Sequence, residues 1–378
     1  MTFFLIFYFL IYGLLHYYAL RKVKSSLKIG KKRTRFLGLF MLLMILAPIL
    51  VRIVERAGIT SGLHLLAYIT FSWMGLLFIF VSISVTGDLI KLFVFVFAKL
   101  FNNRSTRQPI ASALFFYLSL VLTLALYGYG LFEAARLRVE HVVVKSAKIP
   151  AEIERIRVVQ ISDVHLGLFI REPQVKKILD LVAALEPDLL VSTGDLVDGQ
   201  PNDLSQEAEL LASFEPPLGK IAVTGNHEFY AGLEHSLNFT MSAGFTILQQ
   251  QAKIFPHLTV VGVDDQATTS FHKPPSISEA KFLATLPEKK FTLLLKHRPD
   301  INPDSIGLFD LQLSGHTHKG QIFPFNLITW IFYPYPAGQL TKLSQGFLYL
   351  SRGTGTWGPP IRILAPPEIT VIDLVHGN

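Results

Sequence analysis

The sequence places acidic, amide and imidazole side chains directly behind a series of apolar runs. Asp195 lies in the block Gly194-Asp195-Leu196-Val197-Asp198-Gly199, behind the apolar residues 189–193. A single Gly-Asp pair at such a place ordinarily forms a turn. Four more polar blocks stand in the same kind of position, and they are Asp163-Val164-His165, Gly225-Asn226-His227-Glu228, Lys296-His297-Arg298 and Gly315-His316-Thr317-His318. Because packing does not explain five such coincidences, we interpret them as a metal site in which Asp195 is shared by two ions.

Two of these blocks carry paired side chains at a spacing of two residues. If strand geometry persists, Asp163 and His165 leave the same face and bind one ion. The alternative is a strand-end Asp beside an exposed His. His316 and His318 bind one ion by the same argument, or two neighbouring ions if the loop turns between them.

The other two blocks present single side chains at the ends of apolar runs. Positive φ at Gly225 would let the chain turn sharply and present Asn226 and His227 at a cleft; the alternative is an ordinary turn Asn. His297 follows residues 291–295 and is either a ligand or a hydrogen-bonded core histidine.

Composition limits the chemistry of such a site. The chain has no cysteine, so only oxygen and nitrogen can bind a metal. Asp, Asn and His together suit two divalent ions, Mn, Fe or Zn, in preference to calcium or a structural zinc. The net charge of +7 does not indicate nucleic-acid binding, because the densest basic run, Arg21 to Arg35, lies between two apolar segments and is typical of a membrane-flanking loop.

The first third of the chain predicts a membrane domain, residues 1–135. Residues 2–20, 36–51, 63–85 and 110–132 are apolar and about long enough to cross a bilayer as helices. The apolar run 89–101 contains Lys91 and Lys99 and is shorter, so it predicts a separate interfacial helix. We therefore expect four transmembrane helices in a multi-pass cell-membrane protein.

Residues 136–378 predict a mixed α/β domain. Short strands are expected at residues 156–161, 189–193, 221–224, 258–263, 291–295 and 311–314, and helices at residues 174–185 and 203–213. Every candidate site residue then lies just past the end of a strand, which is the edge where open α/β sheets bind ligands.

In order and spacing, these five blocks resemble the calcineurin-like metallophosphoesterases. The closest resemblance is to a membrane-anchored bacterial branch, similar to the YaeI and YkuE phosphoesterases and to chlamydial-type UDP-2,3-diacylglucosamine hydrolases. Lys319-Gly320-Gln321 and Ser351-Arg352-Gly353-Thr354-Gly355 also resemble that branch. The resemblance covers residues 150–375 and implies a four-layer αββα sandwich.

The resemblance also implies roles for individual residues. One metal would be bound by Asp163, His165, Asp195 and His318, and the other by Asp195, Asn226, His297 and His316. A hydroxide bridging the two ions would attack phosphorus, and His227 would stabilise charge or protonate the leaving oxygen. Arg298, Lys319 and Arg352 are further candidates for phosphate contacts, each with the alternative of a solvated surface charge.

Residues 323–335 form an aromatic, proline-punctuated segment behind the histidine pair. We expect a loop that either packs inward, forms a wall for acyl chains or anchors at the bilayer interface.

The sequence thus predicts a membrane-bound metallophosphoesterase for a phosphoester or pyrophosphate in a phosphorylated, lipid-linked substrate, with the bilayer as partner and no role for nucleic acid. The alternative is a non-catalytic membrane sensor or scaffold that retains the metal site. The basic first loop is expected in the cytoplasm, which with four spans places the catalytic domain outside the cytoplasm.

Overall fold

The fold is described from a computed structural model covering residues 2–59, 61–101, 112–199, 203–268 and 277–377. Its internal contacts divide the chain into two units. The first contains Met1–Phe132 with Gly358–Ile361, and the second contains Glu133–Trp357 with Arg362–Asn378.

Long helices build the first unit. They are α1 (Thr2–Leu27), α2 (Lys31–Arg56), α3 (Leu63–Leu100) and α4 (Ser112–Ala135). Tyr12, Met41, Phe80 and Phe116, one from each helix, belong to one apolar cluster. Within the described residues, three segments are long and apolar enough to cross a membrane, Lys31–Arg56, Leu63–Leu100 and Ala113–Ala135. These segments indicate membrane association, while the count of four spans stays a prediction.

Helix α3 corrects one expectation. Residues 89–101 do not form a separate interfacial helix, because α3 continues without a break through 38 residues. At 1.5 Å per residue such a helix is about 57 Å long, well beyond the roughly 30 Å of a hydrocarbon core. The predicted fourth helix, 110–132, corresponds to α4, and its first two residues lie outside the described part of the chain.

The second unit contains two six-stranded sheets. The first has the order β1-β12-β2-β3-β4-β5 and is parallel except where β12 runs antiparallel to β2. Its strands are β1 (Arg138–Ser146), β2 (Ile156–Ile161), β3 (Leu189–Ser192), β4 (Lys220–Ala222), β5 (Thr246–Ile247) and β12 (Glu368–His376).

The second sheet has the order β10-β11-β9-β8-β7-β6, with a parallel centre and an antiparallel strand at each edge. Its strands are β6 (Gln251–Ile254), β7 (Leu258–Gly262), β8 (Phe291–Leu295), β9 (Leu311–Ser314), β10 (Leu340–Lys342) and β11 (Phe347–Leu350). The helices of this unit are α5 (Glu172–Ala184), α6 (Ser205–Ala212), α7 (Asn226–Ala231), α8 (Leu233–Ser242), α9 (Glu279–Leu283) and α10 (Asn326–Phe332).

Alternating side chains on the strands create separate apolar layers. Val158 of β2 joins Leu293 of β8 in a cluster between the sheets, whereas its neighbour Val159 packs with Ile178 of α5 on the outer face. Leu294 of β8 packs with residues of α9 on the other side of the second sheet. The predicted α/β class and the helix-sheet-sheet-helix order are confirmed.

Candidate metal centre

The ends of five strands present the candidate ligands. Asp163 and His165 follow β2, Asp195 follows β3, and Asn226 begins α7 behind β4. His297 follows β8, and the pair His316 and His318 follows β9. All seven side chains therefore leave the same kind of strand end, as the sequence predicts.

One group of possible ligands consists of Asp163, His165 and His318, whose donor atoms all lie within 4.8 Å of one another. The Nε2 atoms of His165 and His318 are 3.0 Å apart, and Nε2 of His318 is 3.5 Å from Oδ1 of Asp163. Ser162 donates its hydroxyl to Oδ2 of Asp163 at 2.5 Å. These contacts hold one carboxylate and two imidazoles around a common point.

A second group consists of Asp195, His297 and His316, again within 4.8 Å. Oδ2 of Asp195 is 3.2 Å from Nε2 of His297, which is 3.2 Å from Nδ1 of His316. The histidine pair of one loop thus divides between two groups, which is the second of the two arrangements considered for it.

Asp195 also reaches toward the first group. Its Oδ2 is 3.9 Å from Nε2 of His165, and its Oδ1 accepts the backbone N–H of His227 at 2.8 Å. His165, Asp195 and His227 form a third set within 4.8 Å. The Asp195 carboxylate therefore lies between the two groups.

The donor spacing fits divalent ions. Two donors that each lie about 2.1 Å from a metal are about 3.0–3.4 Å apart at bond angles between octahedral and tetrahedral. Two donor pairs in each group lie at 3.0–3.5 Å. Imidazole and carboxylate donors without thiolate suit Mn, Fe or Zn.

The backbone that delivers these ligands differs from the expected one. Asp163 and His165 have φ of 51° and 54°, in the left-handed region, so strand alternation does not bring them together. Asp195, His316 and His318 also have positive φ, which makes five of the seven candidate ligands. Non-glycine residues rarely adopt this conformation, and its cost is commonly tolerated at functional sites.

The glycines of the site matter mainly because they have no Cβ, which leaves room for two loops to approach each other. The sharp turn at positive φ that was expected at Gly225 is not present. Gly225 has φ of −104° and is extended, but a Cβ there would overlap Oδ1 of Asp195. Gly194 does have positive φ, and its Cβ would lie 2.6 Å from the Gly225 nitrogen. The two glycines let the Asp195 and Asn226 loops touch.

Burial and neighbouring charges lower the pKa of two of the candidate histidine ligands and raise the pKa of a third. Burial, followed by His297 and Arg298, lowers the pKa of His316 to about 2, and burial with His165 lowers the pKa of His318. Burial opposes the charge of His297, but Asp195 raises its pKa to about 10. Since ligands bind metals through a deprotonated nitrogen, His316 and His318 are ready to bind, whereas His297 must release a proton.

His227 lies at the edge of the ligand groups. Its Nδ1 is 3.1 Å from Oδ1 of Asp198, and the ring packs edge-on against His165 with centroids 4.6 Å apart. Burial again opposes protonation, but Asp195 and Asp198 raise the pKa of His227 to about 9. The structure thus provides an imidazole that Asp198 orients beside the ligands.

The three candidates for phosphate contacts lie in different surroundings. Arg298 lies beside the ligands, with Nη1 3.1 Å from Nε2 of His316 and Nη2 donating to Oδ1 of Asn226 at 3.4 Å. Lys319 is half-buried on the histidine loop, and its role stays a prediction. Arg352 is buried and pairs with Glu140 and Glu368, and its phosphate contact stays a prediction.

Two important residues were missed from the sequence. The Glu228 carboxylate accepts the N–H groups of Asp195, Leu196, Val197 and Gly225 at 2.7–3.3 Å, and so joins two ligand loops. Its place in the quoted Gly225–Glu228 block was the available signal.

Arg362 is the second missed residue and is fully buried. It donates to the carbonyls of Arg352, Gly353, Gly355 and Ala365, and its Nη2 lies 3.0 Å from Nδ1 of His318. A single charge inside the apolar run 359–365 could have indicated a buried, paired group.

Comparison with known proteins gives the class of this site. The profile of the family described as "Calcineurin-like phosphoesterase" matches residues 156–320. A metallophosphoesterase of Aquifex aeolicus is 38% identical over 67% of this chain and 97% of its own length. A transmembrane protein with a metallophosphoesterase domain from Danio rerio is 32% identical over 82% of this chain and 74% of its own. YkuE of Bacillus subtilis is 29% identical over 67% of this chain and 91% of its own.

The fold and the ligand groups therefore belong to a metallophosphoesterase. The chain is a member of the calcineurin-like phosphoesterase family, which confirms the resemblance seen in the sequence. It is a metal-dependent phosphoester hydrolase with helices capable of crossing a membrane.

Proposed function

We propose that this protein is a membrane-bound phosphoesterase that works with two divalent ions. The observation that carries this proposal is the position of Asp195 between two ligand groups, 3.2 Å from His297 and 3.9 Å from His165. Asp163, His165, Asp195 and His318 would bind one ion, and Asp195, Asn226, His297 and His316 the other.

The chain's own residues supply orientation and proton transfer. Two bound ions would supply an acidified water and a positive field for the phosphoryl oxygens. Asp198 fixes the ring of His227 through Nδ1, which leaves Nε2 to donate a proton to the leaving oxygen. Arg298, tied to Asp265 at 2.8 Å, presents its guanidinium beside His316 and would bind a phosphoryl oxygen.

A substrate carried by the membrane fits this chain better than a soluble one. Helices capable of crossing a bilayer belong to the same polypeptide, and exposed apolar residues follow the histidine pair at once. We infer a phosphoester or pyrophosphate in a lipid-linked molecule as the substrate, with the protein as a multi-pass cell-membrane enzyme. The basic first loop favours a catalytic domain outside the cytoplasm.

Matched substitutions test the two roles separately. Asp195→Asn should abolish hydrolysis of a chromogenic phosphoester and lower the metal content, because it weakens a shared ligand. His227→Ala should lose most turnover and keep its metal, because that residue is assigned to proton transfer. Asp180→Asn and His257→Ala change exposed residues of the same types and serve as controls.

Elemental analysis and kinetics on the purified full chain give the answer. One metal or fewer per active wild-type chain contradicts the dinuclear proposal. Undiminished activity in His227→Ala contradicts the role given to that residue.

A further inference from the structure

The segment behind the histidine pair is apolar and open to its surroundings. Helix α10 (Asn326–Phe332) has no buried residue. Residues 320–340 contain no charged side chain, while Lys319 and Lys342 stand at either end. We name as the aromatic helix surface the exposed residues Phe323, Phe325, Leu327, Ile328, Trp330, Ile331 and Phe332, which are 43–72% exposed.

This surface is attached firmly to the metal centre. The Tyr333 hydroxyl accepts a hydrogen bond from Nη1 of Arg298 at 3.3 Å, and its ring packs edge-on against His316 at 5.4 Å. At the other end Gly320, with φ of 75°, brings the histidine loop so close to Asn326 that a Cβ would touch the Asn326 backbone. These contacts tie both ends of the segment to the loops that carry the candidate ligands.

The distribution of apolar side chains indicates what covers them. At about 100° per residue, Leu327, Ile328, Trp330, Ile331 and Phe332 span an arc of about 200° around α10. Asn326 and Thr329 occupy the remaining arc. A flat protein partner covers one narrow stripe of a helix, whereas a bilayer interface receives a broad apolar face with Trp and Tyr near the headgroups.

We propose that the aromatic helix surface inserts into the lipid bilayer that receives the chain's long apolar helices. The covalent link to those helices tethers the second unit to a membrane, so no separate partner needs to be recruited. Resting on the proposed function, this contact would hold the phosphoesterase centre at the headgroup level, where a lipid-borne phosphoester reaches Arg298 without leaving the membrane.

The lack of cysteine makes single-cysteine labelling a direct test. Ile331→Cys places a fluorescent probe on the surface, since Ile331 is 71% exposed. Ile254→Cys, on edge strand β6, is a control isoleucine at 53% exposure, and Leu43→Cys in α2 is a membrane reference at 58%. The full chains are reconstituted in nanodiscs that contain nitroxide-labelled lipid or none, and iodide is the aqueous quencher.

The expected result is that the probe at residue 331 follows the membrane reference. Nitroxide lipid should quench it at least about twofold more than the probe at residue 254, and iodide correspondingly less. Strong iodide quenching without lipid quenching would overturn the proposal. Protection from both quenchers, with disulfides between two chains at residue 331, would overturn it in favour of a second copy of the protein.

This readout is independent of catalysis. The same labelled chains are assayed with metal on a small chromogenic phosphoester. Lipid quenching without hydrolysis would uphold the membrane contact and contradict the proposed function, whereas hydrolysis without lipid quenching would contradict only the membrane contact.

Discussion

Replacing Arg362 by lysine should weaken both the fold and the metal centre. Burial lowers the pKa of Arg362 to about 10, so the side chain is charged at neutral pH, and lysine is the closest cationic replacement. The guanidinium donates to four different carbonyls. The Gly353 carbonyl also accepts the N–H of Glu368 at 3.0 Å, whereas the other three accept from Arg362. An ammonium presents its three N–H groups from a single nitrogen, while the guanidinium donates from Nε, Nη1 and Nη2, so at least one of these three carbonyls loses its donor.

The size of the effect follows from that count. One unpaired buried carbonyl costs about 1–3 kcal/mol, and for a domain of this length 1 kcal/mol lowers the thermal midpoint by about 2–4 °C. We expect a decrease of about 2–12 °C in metal-free protein. Arg362→Ala would remove the donor from three buried carbonyls, since that of Gly353 keeps the N–H of Glu368, and the summed cost approaches the whole stability of a domain, so lysine is the informative change.

Metal affinity should fall as well, because Arg362 fixes the loop that touches the first ligand group. In that loop Thr354 N–H donates to the Ser162 carbonyl at 2.7 Å and Gly355 N–H to the Asp163 carbonyl at 3.0 Å. Thermal midpoints of full-length protein, with and without added Mn²⁺, measure both effects. Arg155→Lys changes an exposed arginine and is the control. If Arg362→Lys matches that control in both conditions, the carbonyl contacts are not what stabilises the loop.

Three further results are expected. Trp330→Ala should raise the apparent KM for a lipid-linked substrate much more than for a small chromogenic phosphoester; equal losses with a lower thermal midpoint would show a structural role. Arg157 pairs with Asp373 at 2.7 and 2.9 Å and lowers the pKa of that carboxyl, so the pair stabilises the fold above about pH 4 and the contribution is lost as pH falls further. Asp373→Asn should therefore cost about 1–2 kcal/mol at pH 7 and progressively less as the pH falls below about 4, while exposed Asp180→Asn costs about 0–0.5 kcal/mol. Parallel pH curves of thermal midpoint for wild type and Asp373→Asn would refute this. A reporter at the C terminus should show alkaline phosphatase activity without green fluorescence, and bright cytoplasmic fluorescence would place the domain inside.

The strands that the sequence predicts best are short apolar runs buried on both faces. Ile156–Ile161, Phe291–Leu295 and Leu311–Ser314 have the predicted bounds. Strand β1 was missed because it lies at a sheet edge and carries Arg138, Glu140 and Lys145 on largely exposed positions. Strand β12 was missed although it is apolar, since its place beside β2 depends on pairing across about 210 residues, which no local pattern reveals.

In the site, the residue types could be predicted from the sequence, but the backbone conformation could not. Residue types and their position after strands were enough to select Asp163, Asp195 and the histidines. The left-handed conformations were not foreseeable, because Asp and His rarely adopt them and no local sequence pattern marks them. The inward-packing alternative for residues 323–335 was wrong, since the composition alone could not tell a buried aromatic loop from the exposed helix α10.

The positive φ angles of five candidate ligands have an evolutionary consequence. Each holds an Asp or His in a conformation that Gly, and to a lesser extent Asn, adopts more readily. As long as the metals are needed, selection must keep Asp or His at these positions despite the backbone strain. In a descendant that no longer hydrolysed phosphoesters, substitutions at Asp163, His165, Asp195, His316 and His318 toward Gly or Asn would relieve backbone strain as they removed ligands. Loss of catalysis in this fold would then proceed with a gain in local stability, and degenerate copies would be recognised by glycine and asparagine at these five positions.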